Sequence, residues 1–277
     1  MARKKLYERL LTIFGDIKVF RYPLFIVYDP GSYQVKGDDV REVLDLIQPG
    51  DVLLRAYSNY LDGRFIPGIF SHAAVYCGEL KETDRALAGA RIRDPAEREH
   101  AQREVFRTGK QMVIHSMAEG VFIEDILTFC RCDQMAILRL PETISLTNPT
   151  ATQSIDASHF TDEEKALVQR LRDGRKVARA EVTPLIVAEA LRNLGRSYDF
   201  RFNFSDFDRL SCSELVYFCY KAVNGFIDVR PRAMKVLFFT HYAIPPDAFL
   251  EANLSHAWAS RSVRTKHPGL GFPDPAR

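Results

Sequence analysis

The sequence nowhere holds about 18 consecutive residues that are both apolar and uncharged, the length a helix needs to cross a bilayer, so no transmembrane helix is expected. The opening stretch also lacks an unbroken apolar core. Between Leu6 and Phe20 it carries Glu8, Arg9, Asp16 and Lys18, which argues against a secretory signal of the ordinary kind. A cytoplasmic protein is expected, and delivery into a host cell by another kind of signal stays open. Charge of one sign is also scarce. There are 38 Lys plus Arg against 36 Asp plus Glu, a net charge of +2, so bulk charge gives no reason to expect nucleic acid as a partner. Cysteine is sparse and odd in number: Cys77, Cys130, Cys132, Cys212 and Cys219. The irregular spacing is no disulfide framework, and Cys130 and Cys132 stand too close for a zinc knuckle. A reducing compartment is expected, with no metal and no organic cofactor.

What is present suits a soluble globular chain: 46% hydrophobic and 27% charged residues over 277 positions. Residues 1–47 read as a helical lead-in, with Leu6, Leu10, Ile13, Phe14 and Ile17 at helical spacing. Asp29-Pro30-Gly31 breaks it, and a second helix over Val43, Leu44 and Ile47 stops before Pro49-Gly50. Strands are predicted after Gly50-Asp51, over Ala73–Cys77 with Gly78 as terminator, over Met112–His115, over Val121–Ile123 and over Met135–Leu140. Residues 79–110 are dense in charge of both signs and read as a solvated helical insertion. Residues 141–160 read as a loop. Helices are expected near 161–172, from Pro184 to Leu194 with Thr183 as cap and Gly195 as stop, and over 211–223. The main domain is placed at 48–258, with 259–277 as a loose tail.

Ser211-Cys212-Ser213-Glu214 is the most informative tetrapeptide. A serine followed three residues later by glutamate is a capping box, and it makes Cys212 the first helical residue. Unpaired backbone N–H groups and the positive helix end favour thiolate there and can hold an oxyanion. The motif equally fits a cysteine merely packed at a helix start. A thiolate nucleophile needs an imidazole. Of the seven histidines, His72 and His115 flank strands, whereas His100, His159, His256 and His267 fall in charged or loop-like stretches and His241 reads as structural. A single strand histidine is more often a buried, satisfied ring. Two at strand ends together with a capped cysteine point to a site.

The order of these motifs resembles a known family. Gly50-Asp51-Val52-Leu53-Leu54 and Phe70-Ser71-His72-Ala73-Ala74-Val75-Tyr76 resemble the opening of YiiX/YebB-like proteins, circularly permuted members of the NlpC-type cysteine peptidase superfamily. Val113-Ile114-His115-Ser116 with Gly120-Val121, then Gly195-Arg196-Ser197-Tyr198-Asp199-Phe200, Ser211–Val216 and Ile244-Pro245-Pro246-Asp247 resemble the later elements. The resemblance runs from about residue 48 to about residue 255. It implies an α+β, circularly permuted papain-like fold: an antiparallel sheet packed on the nucleophile helix, with helical insertions. It implies Cys212 as nucleophile, His72 as base and acid, and His115 at the third position, where this group often has glutamate. Tyr198 matches a tyrosine beside the nucleophile in relatives, although a tyrosine after Gly195 would equally serve as a core anchor. Ser211 stands where unpermuted cell-wall peptidases usually have aspartate, which weakens a cell-wall substrate. The tetrapeptide does not match the Asn-Cys-Glu-His of the lecithin:retinol acyltransferase branch.

The reading is a cysteine hydrolase that cleaves an amide or ester through a Cys212–His72–His115 triad and an acyl-enzyme. Oxyanion and substrate contacts are placed on Tyr198, Ser211 and Ser213. Glu119 is the next candidate should His115 not serve. The substrate would be a small molecule, a peptide or a lipid. One alternative is an acyltransferase or lipid-modifying enzyme with the same triad, touching a membrane surface through residues 1–20 and Arg3-Lys4-Lys5. Another is a non-catalytic binding module on the same fold.

Overall fold

The computed structural model describes residues 33–57, 68–146, 155–200, 207–236 and 239–274. The expected helix over Leu6–Ile17, the break at Asp29-Pro30-Gly31 and the membrane contact through residues 1–20 lie outside these. The fold is α+β. Helix α1 (Gly37–Leu46) leads into β1 (Val52–Ala56) and β2 (His72–Leu80). A short helix α2 (Pro95–His100) separates these from β3 (Gly109–Met117) and β4 (Gly120–Asp125). Helix α3 (Ile126–Phe129), strand β5 (Gln134–Arg139) and the short β6 (Thr143–Ile144) come after them. Next are α4 (Asp162–Arg172), β7 (Val177–Ala178), α5 (Arg179–Arg192) and α6 (Cys212–Cys219). The chain ends with α7 (Asn224–Ile227), β8 (Arg232–Val236), β9 (Phe239–Ala243), β10 (Ser255–Ala259) and α8 (Arg261–Lys266).

The main sheet has six antiparallel strands in the order β10-β5-β1-β2-β3-β4. Its side chains alternate between faces, and each face is buried. Ala73, Val75, Cys77, Met112 and Ile114 enter one core with Leu215, Val216 and Phe218 of α6 and Ile186 and Ala190 of α5. Leu53, Ala74, Tyr76, Val113 and Ile137 enter the other, with Val43 of α1, Phe129 and Trp258. Burial on both faces explains the near-continuous apolar runs in β1 and β2. Full burial of a Leu or Val is worth about 1.5–3 kcal/mol, so α6 is held chiefly by its apolar contacts with the sheet and α5.

Several elements differ from the reading of the sequence. Gly78 does not end β2. It lies inside the strand at φ +76°, where the pairing with β3 shifts register, and Pro49 packs against it. Helix α5 begins at Arg179 and holds Pro184 inside. Glu181 closes its first turn by accepting from Ala178 N–H at 3.0 Å, so the helix does not wait for proline. The charged insertion is not merely solvated. Gly89 and Arg91 N–H groups reach carbonyls at the end of α5, and the Arg91 guanidinium makes two bonds to Glu189, at 2.9 and 3.0 Å. Glu189 also meets Lys221, which pairs with Glu164, and those three side chains are fully buried. Such buried charges are tolerable because each faces an opposite one. The stretch read as a loose tail holds α8, with Val263 buried, and His256 binds the Leu270 carbonyl through Nδ1 at 2.7 Å. No helix among the described residues is long and apolar enough to cross a membrane.

The turn between β3 and β4 controls how the 195–197 segment lies on the sheet. Gly120 has φ +107°, and a Cβ there would run into the Arg196 carbonyl oxygen. That close approach allows Val121 N–H to donate to Arg196 O and Gly195 N–H to donate to Val121 O, each at 2.8 Å. The two bonds stitch the segment to the start of β4. Gly120→Ala should cost about 1–3 kcal/mol through strain and clash, read as a lower urea midpoint. An unchanged midpoint would show that the stitch is dispensable.

Candidate active site

The sequence predicts that Ser211 caps the helix bearing Cys212, and the structure forms that capping box. Ser211 Oγ accepts from Glu214 N–H at 3.4 Å, and Glu214 Oε2 accepts from Ser211 N–H at 2.8 Å. The residue before it is pinned from both sides. Ser116 Oγ donates to Leu210 O at 2.6 Å, and Leu210 N–H donates to Ser197 O at 3.1 Å. Cys212 therefore starts α6 directly over the β2–β3 pair. Its thiol is buried, and the Ala73 backbone N–H and the Ser213 hydroxyl, 3.9 Å from Sγ, face it.

His72 opens β2, opposite Arg55 of β1. The chain just before it is clamped by Asp247, whose carboxylate accepts from Ile69 N–H at 2.6 Å and Phe70 N–H at 2.8 Å. Gly68 is required there, since a Cβ would strike that carboxylate. Burial raises the Asp247 pKa, and the two N–H groups oppose the rise. The Pro245-Pro246-Asp247 segment is thus a tether for the approach to His72.

His72 and His115 come together: Nε2 of His72 is 2.9 Å from Nδ1 of His115. His115 is fully buried, edge-on to the Phe129 ring at 5.6 Å. Strand alternation places both imidazoles on the sheet face of Ala74, Tyr76 and Val113, while Cys212 arrives from the α6 side. The first peptide of β2 lies between them. Among the described residues no hydrogen bond joins Cys212 to either ring. The His72 bond to His115 uses Nε2 and leaves Nδ1, the ring nitrogen nearer the backbone, outside that bond.

Two residues at this site escaped the sequence reading. Glu124 of β4 puts Oε2 3.3 Å from Nε2 of His115, and Arg55 of β1 puts Nη1 3.1 Å from the same oxygen. Glu119, the reserve candidate, is exposed in the turn. The Arg55 side chain is 3% exposed, lies 4.1 Å over the Phe129 ring and donates to Phe129 O at 3.3 Å. Tyr198 is half-buried, with its ring 4.9 Å from that of Phe200. Ser211 serves as the cap, and Ser213 is buried beside the thiol. Among the described residues no group of three His, Cys, Asp or Glu is arranged to hold a metal ion.

Burial sets the protonation states. It drives the His72 pKa well below the ordinary value, with the Arg55 charge adding to the effect. It lowers His115 to about 4, against the partial support of Glu124. Burial also raises the Cys212 pKa, and the Ala73 N–H and Ser213 only oppose that rise. The expected thiolate preference at the helix start is therefore outweighed, and the resting pair is a neutral thiol and a neutral imidazole. Burial raises the other thiols too, Cys130 to about 12 and Cys219 well above its ordinary value.

Residues 149–254 match the model of a family described as permuted papain-like amidase enzymes, YaeF/YiiX, C92 family. That span holds Cys212 and Asp247 and leaves out His72, His115 and Glu124. The match bears out the resemblance to YiiX-like permuted papain-like peptidases, and it supports a cysteine hydrolase class of function. Among solved structures, metalloprotein yiiX from Escherichia coli O157:H7 aligns with 76% of this chain and 96% of its own, at 14% identity and a TM-score of 0.44. No curated protein matches the chain.

Both imidazoles have folded-state pKa values below the unfolded one, so the unfolded chain binds more protons between those values. Stability is then whole above about pH 6.5 and falls as the pH drops below it, by about 1.4 kcal/mol per pH unit for each ring. His115→Gln removes one titrating ring and should flatten the slope between pH 6.5 and 5 by about that increment in urea unfolding. An unchanged slope would contradict burial of a neutral His115.

Proposed function

We propose that the protein is a cysteine hydrolase that cleaves an amide or ester bond through an acyl-enzyme on Cys212. The observation that carries this is a cysteine at the capped start of α6, packed on β2 and β3, together with a bonded imidazole pair that those same two strands carry on their other face. His72 is the base. With Nε2 bonded to His115, its Nδ1 takes the thiol proton as Sγ attacks the carbonyl carbon. Because thiol and imidazole both rest neutral, proton transfer accompanies attack rather than preceding it. Strand alternation sets the His72 ring on the sheet face away from α6, so this step needs the start of β2 to turn and bring Nδ1 to hydrogen-bond distance of Sγ when substrate binds.

The carbonyl oxygen becomes an oxyanion, met by backbone N–H groups at the start of α6 and by the Tyr198 hydroxyl. His72 then returns its proton to the leaving amine or alcohol, and the carbonyl reforms. Water, deprotonated by His72, releases the acid and restores the thiol. His115 holds the His72 ring by its Nδ1 contact and does not itself attack.

On a panel of model amides and esters, Cys212→Ala should abolish turnover. His72→Ala should lower kcat by about 10²–10⁴-fold, the range for losing a general base. His115→Ala should lower kcat less and leave Cys212 open to labelling by thiol-directed acyl probes. Turnover that survives in Cys212→Ala would remove the proposal.

A further inference from the structure

The pair Arg55–Glu124 has no part in the hydrolysis as described, yet it touches the imidazoles. It lies on β1 and β4, and its carboxylate points at the far nitrogen of His115. That nitrogen, Nε2, is buried and has no closer partner among the described residues. The 3.3 Å approach is an electrostatic contact rather than a well-formed hydrogen bond.

The geometry limits where protons can sit. One proton lies between His72 Nε2 and His115 Nδ1, and each neutral ring carries one N–H. If His115 bears its proton on Nδ1, it donates to His72. His72 then carries its own proton on Nδ1 and has no lone pair there for a thiol. His115 Nε2 would also turn a lone pair toward the Glu124 carboxylate, which is repulsive. If His115 bears its proton on Nε2, that N–H faces the carboxylate. Nδ1 then accepts from His72 Nε2–H, and the lone pair of His72 lies on its Nδ1.

We infer that Glu124, paired with Arg55, is a positioning residue that sets the tautomer of His115 and through it the tautomer of His72. The charge order along the chain supports this. Arg55 is a permanent cation in the interior, and its charge near both rings opposes an imidazolium at either. Burial works to raise the Glu124 pKa, and the His115 and Arg55 contacts outweigh it and bring the value below the ordinary one. Glu124 thus stays an acceptor, which Arg55 cannot be. The consequence for catalysis rests on the reading of His72 as the base, whereas the tautomer itself does not.

The test reads both. In protein labelled with ¹⁵N in histidine, long-range ¹⁵N–¹H correlation spectra at pH 7.5 report which ring nitrogen carries the proton. His72→Gln and His115→Gln spectra assign the two rings. The expected result is Nε2–H on both His72 and His115. In the double variant Arg55→Met with Glu124→Leu, which removes both charges together and avoids leaving one buried alone, the His115 signals should become an average of two tautomers. Its kcat should fall about 10–100-fold at nearly constant KM. Arg55 retained with Glu124→Asp should recover part of the Nε2–H signature. A wild-type spectrum with Nδ1–H on His115 overturns the inference outright, even if the protein proves too unstable for the variants. So does a double variant that stays folded with unmoved tautomers. If Cys212→Ala still turns over substrate while both rings carry Nε2–H, the hydrolase reading fails and the tautomer assignment stands.

Discussion

A guanidinium cannot shed its charge, and Arg55 carries one inside the protein at 3% exposure. That single constraint organises the sheet face around it. The charge needs an anion, and Glu124 supplies one at 3.1 Å. The carboxylate in turn favours a ring N–H at 3.3 Å and so orders His115. The aromatic face of Phe129 takes the other side of the guanidinium, 4.1 Å away, where a cation is well placed. Burial keeps both histidines from protonating, and the same positive charge adds to it, which is what a base awaiting a thiol requires. Removing Arg55 or Glu124 alone would leave a charge in the interior without its partner, a far costlier change than removing both.

The sheet divides its labour by face. One face packs the helix that carries Cys212, and its interactions are apolar. The other carries Arg55, Glu124, His72 and His115. The two chemistries approach each other only where β2 begins, and three tethers hold that point. Asp247 fixes the peptide leading into His72, Ser116 fixes the carbonyl before the α6 cap, and Gly120 lets the Arg196 segment lie against the sheet. Each tether joins parts of the chain far apart in sequence, so the site is a product of the whole domain rather than of any one motif.

Local patterns told most about the elements with local causes. The capping box of Ser211 and Glu214 announced the start of α6, and the apolar runs at Val52–Leu54 and Ala73–Cys77 announced central strands. His72 and His115 stood out as candidates because both sit at strand positions beside recognisable motifs. Glu124 was hidden for a geometric reason. It lies diagonal to His115 across the hairpin, since His115 pairs with Phe122 and Val113 with Glu124. A one-residue change of register would have turned its side chain to the other face. The turn at Gly120 fixes that register, so counting outward from Met117 opposite Gly120 would have placed it. Arg55 was out of reach because its partner is 69 residues away. The strand β10 is hard to see because three of its five residues are exposed or half-exposed and leave a weak alternation, and the early start of α5 is hidden because its proline lies inside the helix and not at the first turn.

The central claim is that Cys212 becomes acylated with help from the imidazole pair. Intact-mass spectrometry after rapid mixing with an activated ester tests this most directly, with digestion afterwards to locate the adduct. The expected result is a transient mass increase of one acyl group on Cys212, lost to water over time and persisting longer when His72 is replaced. An acyl group that appears on another residue, or none in a protein that is turning over substrate, would contradict it.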